Sequence, residues 1–279
     1  MEILIAIGIL GGLGLIFGLV LSLAAKVFYV ETDPRLEKLN EALPGANCGG
    51  CGYAGCNAYA EAVLSGEAAI GLCASGGNDS ASKMAEIMGV EVEELERKVA
   101  FVRCSGYHRM NTEGKATGSK RKAEYEGFHD CLAASKVGGN GPIACKFGCL
   151  GFGNCVKACK YGAIKVTDGV AVVNKELCVG CMACAAACPR KLITSIPYDK
   201  QVMIPCNSKA KGAVTVRGCT QGCIGCGLCV KICPEEAITI EGNLAVIDYK
   251  KCSACGLCAT VCPRHLIVSR VEAPEETKV

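Results

Sequence analysis

One cysteine pattern occurs twice in this chain, at a constant offset in residue number. In each copy two residues separate successive members of the first three cysteines, three residues separate the third from the fourth, and a proline follows. The copies are Cys178, Cys181, Cys184, Cys188 and Pro189, and Cys252, Cys255, Cys258, Cys262 and Pro263. Because the same offset relates further cysteines, residues 145 to 262 form an internal duplication, and the chain must fold as two similar units in tandem.

This spacing is typical of iron-sulfur proteins. In bacterial ferredoxins, three thiolates of such a run bind one [4Fe-4S] cluster and the fourth binds a neighbouring cluster. The second unit has a complete complementary set at Cys223, Cys226, Cys229 and Cys233. The sequence therefore predicts ferredoxin-like units with two clusters each, in which every half-motif is a loop and a short helix followed by a strand.

The first unit departs from this pattern at one position. Phe152 stands where the second unit has Cys226, so that unit 1 keeps only Cys149, Cys155 and Cys159 in register. Since a [4Fe-4S] cluster takes four ligands, a replacement is needed. Cys145 is the first candidate and Cys131 the second; in a third interpretation the position stays vacant, with a three-iron cluster or none.

A separate set of cysteines precedes the duplication, at Cys48, Cys51, Cys56 and Cys73. Glycines between them allow the backbone to wrap closely around an inorganic core. If Cys145 serves unit 1, five clusters use 20 of the 24 cysteines. The four that remain are the number a sixth cluster needs, or they are buried thiols that act as small apolar side chains; they are Cys104, Cys131, Cys206 and Cys219.

Zinc and disulfide bonds fit these cysteines poorly. Structural zinc sites use two cysteine pairs with a longer spacer, and the run of three cysteines followed by Cys-Pro has no role in them. Disulfides need an oxidising compartment and do not require regular spacing. The chain has no tryptophan and only 5% aromatic residues, so clusters are expected to take over much of the role of a hydrophobic core.

Other functional classes find little support. The soluble part has no phosphate-binding loop and no dinucleotide fingerprint, so we expect no NAD site and no catalytic residues in this chain. A net charge of +3 gives no support to nucleic-acid binding. The expected chemistry is one-electron transfer.

The N-terminus carries a long apolar segment. From Ile3 to Ala25 there are 23 residues without a charge, and about 20 residues of helix span the hydrocarbon core of a membrane. A cleaved signal peptide is the alternative, but the charged residues that precede such a peptide are missing. Because Lys26, Arg35 and Lys38 follow the segment, the orientation rule places the rest of the chain on the cytoplasmic side.

The predicted fold class is α+β. Residues 83–102 have helical spacing of apolar residues. The expected organisation is a transmembrane anchor at 1–28, an N-terminal [4Fe-4S] module at 29–103, a connecting region at 104–140, ferredoxin-like unit 1 at 141–200 and ferredoxin-like unit 2 at 201–279.

The order of these parts resembles the B subunit of the Rnf complex, a membrane-bound ferredoxin:NAD+ oxidoreductase that couples electron flow to ion translocation. The resemblance covers nearly the whole chain, which looks like the long form with duplicated ferredoxin units. It implies a single-pass subunit of the cytoplasmic membrane that accepts electrons from reduced ferredoxin and passes them to membrane subunits. Flavin chemistry, NAD chemistry and the path of the coupling ion, Na+ or H+, would belong to partner subunits.

The direction of electron flow follows from the order of the modules. The Cys48 module is nearest the anchor and is the expected exit, whereas ferredoxin is expected to dock on the C-terminal units. Four basic residues just after cluster ligands are candidates for the docking face: Lys160, Arg190, Lys191 and Arg264. The alternative function is that of a membrane-tethered polyferredoxin serving another reductase, since cluster motifs do not name a donor or an acceptor.

Overall fold

The computed structural model describes residues 2–27, 33–92, 95–106, 109–110 and 116–269, and for residues 2–9, 27, 109–110 and 116–117 it describes the backbone alone. The predicted boundary between anchor and N-terminal module and the end of predicted unit 2, residues 270–279, lie outside the described residues. The fold is α+β, with short helices and two-stranded antiparallel sheets.

The helices are α1 Glu2–Val27, α2 Pro34–Glu41, α3 Cys56–Leu64, α4 Gly77–Met88, α5 Cys131–Lys136, α6 Asn154–Lys157, α7 Ala183–Ala186, α8 Gly212–Gly218, α9 Leu228–Lys231 and α10 Leu257–Thr260. The strands are β1 Lys98–Val102, β2 Arg109–Met110, β3 Ala116–Thr117, β4 Ile164–Thr167, β5 Val170–Val173, β6 Ile193–Pro197, β7 Val202–Met203, β8 Ile238–Glu241, β9 Leu244–Ile247 and β10 Val268–Ser269.

The uncharged N-terminal run forms the single helix α1, and Lys26 lies in its last turn. Its large apolar side chains from Leu10 to Leu23 are exposed, with Leu15 at 75%. Among the described residues there is no helix with both the length and the apolar composition of a membrane span.

Helices α2, α3 and α4 form the N-terminal module, around a core that contains Leu39, Tyr59 and Met84. Helix α4 ends at Gly89, whose left-handed φ of 69° suits a residue without Cβ. The prediction of a helix over residues 83–102 is therefore wrong for the residues after Met88, where α4 ends. Residues 98–102 form β1 instead, because their β-branched valines are buried against β6.

The duplication is visible in the secondary structure. The elements α6, β4, β5 and α7 of unit 1 have the same lengths as α9, β8, β9 and α10 of unit 2, and the offset of the cysteine pattern relates each element to its counterpart. β4 pairs with β5 and β8 with β9 in the same register. The strands predicted after the half-motifs are confirmed, as β4, β6, β8 and β10.

Each unit is completed by a strand that precedes it. β1 pairs with β6 so that Val102 lies opposite Ile193, and β7 pairs with β10 so that Met203 lies opposite Val268. β1 lies inside the range predicted for the N-terminal module, but it pairs with unit 1. Cys104 follows β1 and Cys206 follows β7, each two or three residues beyond the strand.

The two units also differ by an insertion. The long segment from Cys104 to Cys145 in unit 1 corresponds to the short segment from Cys206 to Cys219 in unit 2. Helix α5 and Cys131 lie in this inserted segment of unit 1.

Candidate metal centres

The four cysteines of the N-terminal module line one cavity: Cys48, Cys51, Cys56 and Cys73. Asn47 accepts a hydrogen bond from the Cys56 backbone N–H at 2.8 Å, which fixes the start of α3. Cys181 of unit 1 lines the same cavity. A Cβ on Gly50 would lie 2.8 Å from the Cys181 carbonyl oxygen, so the glycine permits close contact between module and unit.

A second cavity brings together cysteines from both half-motifs of unit 1 and from the insertion: Cys131, Cys149, Cys155 and Cys188. Burial, together with the negative charges of Cys149, Cys131 and Cys188, raises the pKa of the Cys155 thiol to about 12. Cys188 belongs to the second motif, so the fourth cysteine is exchanged as the ferredoxin spacing predicts. We refer to these four cysteines as inner site 1.

Cys131 is held beside inner site 1 by a polar network. Asp130 caps α5 by accepting from the Ala133 backbone N–H, and it also accepts from Asn154 Nδ2 at 2.6 Å. Asn154 Oδ1 in turn accepts from the Cys131 backbone N–H at 2.8 Å. Since Asn154 begins α6, the network joins the insertion to the half-motif that lacks a cysteine.

Phe152 packs on the insertion. Its ring centroid lies 5.2 Å from that of Tyr125 and 5.3 Å from that of His129. Phe152, at the position where unit 2 has Cys226, therefore helps to hold the segment that carries Cys131. No such contact is suggested by the cysteine spacing.

In unit 2 the equivalent cavity is lined by Cys223, Cys226, Cys229 and Cys262, which we refer to as inner site 2. Here the half-motif itself supplies three cysteines, and the fourth again comes from the second motif. Cys226 and Cys255 are the two exposed residues among the 24 cysteines. Unit 2 therefore offers the most solvent-accessible cysteines of the chain.

The remaining half-motif cysteines form two outer groups. In unit 1, burial and the charges of Cys178, Cys181 and Cys159 raise the pKa of the Cys184 thiol to about 11. We refer to these four cysteines as outer site 1. In unit 2, burial and the charges of Cys229, Cys252 and Cys255 raise the pKa of the Cys258 thiol to about 11. Cys233, the counterpart of Cys159 in the duplication, completes outer site 2 with Cys252, Cys255 and Cys258.

A further cavity of about 100 Å³ lies between the two units. Two cysteines from each side line it: Cys104, Cys145, Cys206 and Cys219. The walls are joined by hydrogen bonds between the units, from the Thr220 N–H to the Gly118 carbonyl and from the Lys120 N–H to the Gly218 carbonyl, both 2.8 Å. We refer to this group as the central site. Cys145 thus lies apart from inner site 1.

The central site is built pseudo-symmetrically. Cys104 Sγ accepts from the Cys149 N–H at 3.3 Å, and Cys206 Sγ accepts from the Cys223 N–H at 3.4 Å. Each sulfur accepts a second bond from the backbone N–H two residues further on. Cys149 and Cys223 are counterparts in the duplication. Cys104 and Cys206 therefore occupy equivalent places, each next to an inner site.

The chemistry of the central site suits an iron-sulfur cluster. Burial raises the pKa of the Cys104 thiol to about 12 and that of Cys206 to about 11. Such thiols stay protonated at neutral pH unless a metal displaces the proton. The Nε of Arg103, which lines the cavity, is buried and has no hydrogen-bond partner among the described residues. Backbone N–H groups that donate to thiolate sulfur are a usual feature of iron-sulfur sites.

A single metal ion is a different case. In the described ranges, no group of three or more His, Cys, Asp or Glu side chains is placed to hold one. Four of the groups above are quartets of cysteine around a shared cavity, and the two outer sites are grouped by neighbouring thiols and by the duplication.

Three of the four residues of the predicted docking face donate hydrogen bonds to backbone carbonyls of this chain. Lys160 Nζ donates to the Ala46 carbonyl at 3.0 Å, linking unit 1 to the N-terminal module. Arg190 and Arg264 donate to backbone carbonyls of the central site. Of the four candidates, Lys191 alone has an exposed side chain without a bond of this kind. Ferredoxin docking on these residues stays a prediction; the structure adds that three of the four side chains also hold backbone carbonyls, which residue spacing could not show.

Three families with iron-sulfur descriptions match parts of the chain. "Putative Fe-S cluster" matches residues 43–75, "4Fe-4S binding domain" matches 171–194, and "4Fe-4S dicluster domain" matches 222–266. These matches cover the four cysteines of the N-terminal module, the second motif of unit 1 and both motifs of unit 2. The four cysteines of the central site lie outside all three ranges.

The chain is also similar over most of its length to curated proteins. It is 45% identical to the B subunit of the Na(+)-translocating ferredoxin:NAD(+) oxidoreductase complex of Acetobacterium woodii, over 90% of this chain and 73% of that protein. It is 42% identical to the B subunit of the proton-translocating ferredoxin:NAD(+) oxidoreductase complex of Clostridium ljungdahlii, over 86% and 82%. It is 40% identical to the B subunit of the ion-translocating oxidoreductase complex of Methanosarcina acetivorans, over 88% and 90%.

Proposed function

Because the chain belongs to the family of B subunits of ion-translocating ferredoxin:NAD+ oxidoreductase complexes, we propose that it is the iron-sulfur subunit that carries electrons from reduced ferredoxin to the membrane subunits of such a complex. The observation that carries the proposal is that four cavities each bring one quartet of cysteines together. The other eight cysteines form the two outer sites, which the neighbouring charges and the duplication indicate. When bound, [4Fe-4S] clusters supply one-electron chemistry.

Six clusters are proposed, one for each quartet. Cys131 supplies the ligand missing at Phe152, since it lines the cavity of inner site 1. Cys145 instead serves the central site, with Cys104, Cys206 and Cys219. This assignment leaves no cysteine over and needs no ligand from another chain. It also gives every quartet the four thiolates that a [4Fe-4S] cluster takes.

The quartets form an unbranched series. Outer site 2 and inner site 2 exchange their fourth cysteines within unit 2. The Cys223 N–H bonds to Cys206 of the central site, and the Cys149 N–H bonds to Cys104 on its other side. In unit 1, inner site 1 exchanges a cysteine with outer site 1, and Cys181 of that site lines the cavity of the N-terminal module. The central site is therefore the connection between the two units.

The two ends of the series differ in a way that supports a direction. Cys226 and Cys255, the exposed cysteines, lie in unit 2, where a soluble donor such as reduced ferredoxin gains the closest approach. The N-terminal module follows α1 in the chain. Electrons then enter at unit 2 and leave at the Cys48 module.

The proposed anchor is α1, which places the exit beside the membrane subunits. Its support is the uncharged run of 23 residues, about 35 Å of helix at 1.5 Å per residue, and the exposure of its leucines. Lys26, Arg35 and Lys38 favour a cytoplasmic location for the clusters. Flavin, NAD and the coupling ion, Na+ or H+, belong to partner subunits.

The test uses the chain purified with its native partners. Reduced ferredoxin is added, and NADH formation is followed by absorbance together with the redox state of the clusters. We expect NAD+ reduction that requires this chain and that stops when the central site loses a cysteine. Clusters that are reduced by ferredoxin in an intact assembly without any NADH formation would contradict the proposal and favour service to another reductase.

A further inference from the structure

Both units keep an arginine at the same place. Arg190 and Arg264 are counterparts in the duplication, each directly after the Cys-Pro pair that ends its motif. Arg190 Nη1 donates to the Cys145 carbonyl at 3.2 Å and to the Gly148 carbonyl. Arg264 Nη2 donates to the Cys219 carbonyl at 2.8 Å. Because Cys145 and Cys219 are counterparts too, the two arginines bind equivalent loops of the central site.

Each arginine lies between two cluster sites. Arg190 lines the cavity of inner site 1, and Arg264 lines the cavity of inner site 2. Their guanidinium groups nevertheless bond to loops whose cysteines line the central cavity. The pair therefore stands at the two junctions through which an electron must pass between the units.

Neither charge has a carboxylate partner in the part of the chain that the structure describes, where the ion pair found joins Arg35 and Asp33. Nε of Arg264 is buried, and no residue within the described ranges forms a hydrogen bond with it. Desolvating an unpaired cation is costly unless other charges compensate. Thiolate-ligated clusters on both sides would provide the negative charge, and reduction makes each cluster more negative by one electron.

We propose that Arg190 and Arg264 are paired positioning residues that hold the loops of the central cluster and raise the reduction potentials of the central and inner clusters. The inference rests on the six-cluster function proposed above. A fixed positive charge lowers the energy of the reduced state of a nearby cluster, and the partial burial of both arginines reduces the screening of that charge by water. The two junctions are thereby kept at matching potentials, which favours passage of the electron in both directions across the pseudo-symmetric centre.

The test compares four single variants of the full chain in its native assembly: Arg190→Gln, Arg264→Gln, Arg190→Lys and Arg264→Lys. Iron and sulfide are measured first, and the clusters are then titrated by EPR at controlled potential. Removal of the charge should lower the equilibrium constant for reduction of the adjacent clusters at least tenfold, which corresponds to a shift of about 59 mV for one electron. The Lys variants, which keep the charge, should shift less. Lys191→Gln removes a neighbouring exposed charge and is the matched control.

The outcomes separate the two proposals. Gln variants with full iron content and unchanged potentials would overturn the role of the arginines and leave the six-cluster function intact. If a Gln variant loses iron, the Lys variant at the same position distinguishes the explanations. Retained iron and near-normal potentials in the Lys variant support the need for the positive charge. Loss of iron in both the Gln and the Lys variant contradicts that need. A wild-type chain without iron between the units would overturn both proposals.

Discussion

Loss of the central cluster should divide the chain into two halves that no longer exchange electrons. Cys145→Ala and Cys219→Ala each remove one of the four thiols around the central cavity, and the two residues are counterparts in the duplication. Six quartets with four irons each correspond to about 24 irons per chain, and loss of one cluster lowers this to about 20. Gln221→Ala keeps every cysteine and is the control.

The assay mixes the oxidised complex with reduced ferredoxin and follows the clusters by freeze-quench EPR. In either variant the two clusters of unit 2 should be reduced as fast as in the wild type. The clusters of unit 1 and of the N-terminal module should remain oxidised on the timescale in which the wild type reduces them. Normal reduction of unit 1 in a variant that has lost the iron of one cluster would refute the unbranched series.

Three further perturbations follow from named contacts. Cys131→Ala should also lower the iron content by about four per chain, and Lys136→Ala, at an exposed position of the same helix α5, should not. Full iron content in Cys131→Ala would contradict the assignment of inner site 1. Asp130→Ala removes a helix cap and should lower the denaturant concentration at which the cluster-loaded chain unfolds, with the exposed Asp199→Ala as the control. Equal stability of both variants would count against the network around Cys131. Gly50→Ala brings a Cβ within 2.8 Å of the Cys181 carbonyl oxygen and should slow reduction of the N-terminal cluster, whereas Gly138→Ala, at a position with open space around it, should not. Unchanged reduction kinetics in Gly50→Ala would argue against electron transfer at this contact.

The duplicated spacing was sufficient to predict the two units and the strands after their half-motifs. These features depend on residues that are close together in the sequence: the spacing of the cysteines, and the short apolar segment that follows each half-motif. The ligand exchange between half-motifs was also visible in the spacing. Both inner sites have the cysteine from the second motif where the pattern expects it.

The quartet at the centre was harder to predict. Its cysteines come from four separate segments, and Cys104 and Cys206 do not share the offset that relates the other counterparts. The difference is the insertion in unit 1, which also carries Cys131. The equivalence of Cys104 and Cys206 is visible in the structure, where Cys104 follows β1 and Cys206 follows β7. In the sequence, Cys145 is nearer to Cys149 than Cys131 is, yet long-range packing of the insertion brings Cys131 to inner site 1.

The arginines illustrate the same limit. Arg190, Arg264 and Lys160 follow cluster ligands, and such residues are often solvated charges. Whether a basic side chain faces solvent or a backbone carbonyl depends on the fold of a distant loop. For Arg190 that loop begins at Cys145, far earlier in the chain.

The most direct test of the central claim is to locate iron in the purified complex, by cryo-electron microscopy of the assembly or by anomalous scattering at the iron edge of the crystallised chain. The proposal predicts six cubane clusters in one series. The cluster of inner site 1, the fourth from the C-terminal end, is coordinated by Cys131, Cys149, Cys155 and Cys188, and not by Cys104 or Cys145. It also predicts a cluster between the units, bound by Cys104, Cys145, Cys206 and Cys219. Five clusters with no iron between the units would contradict it.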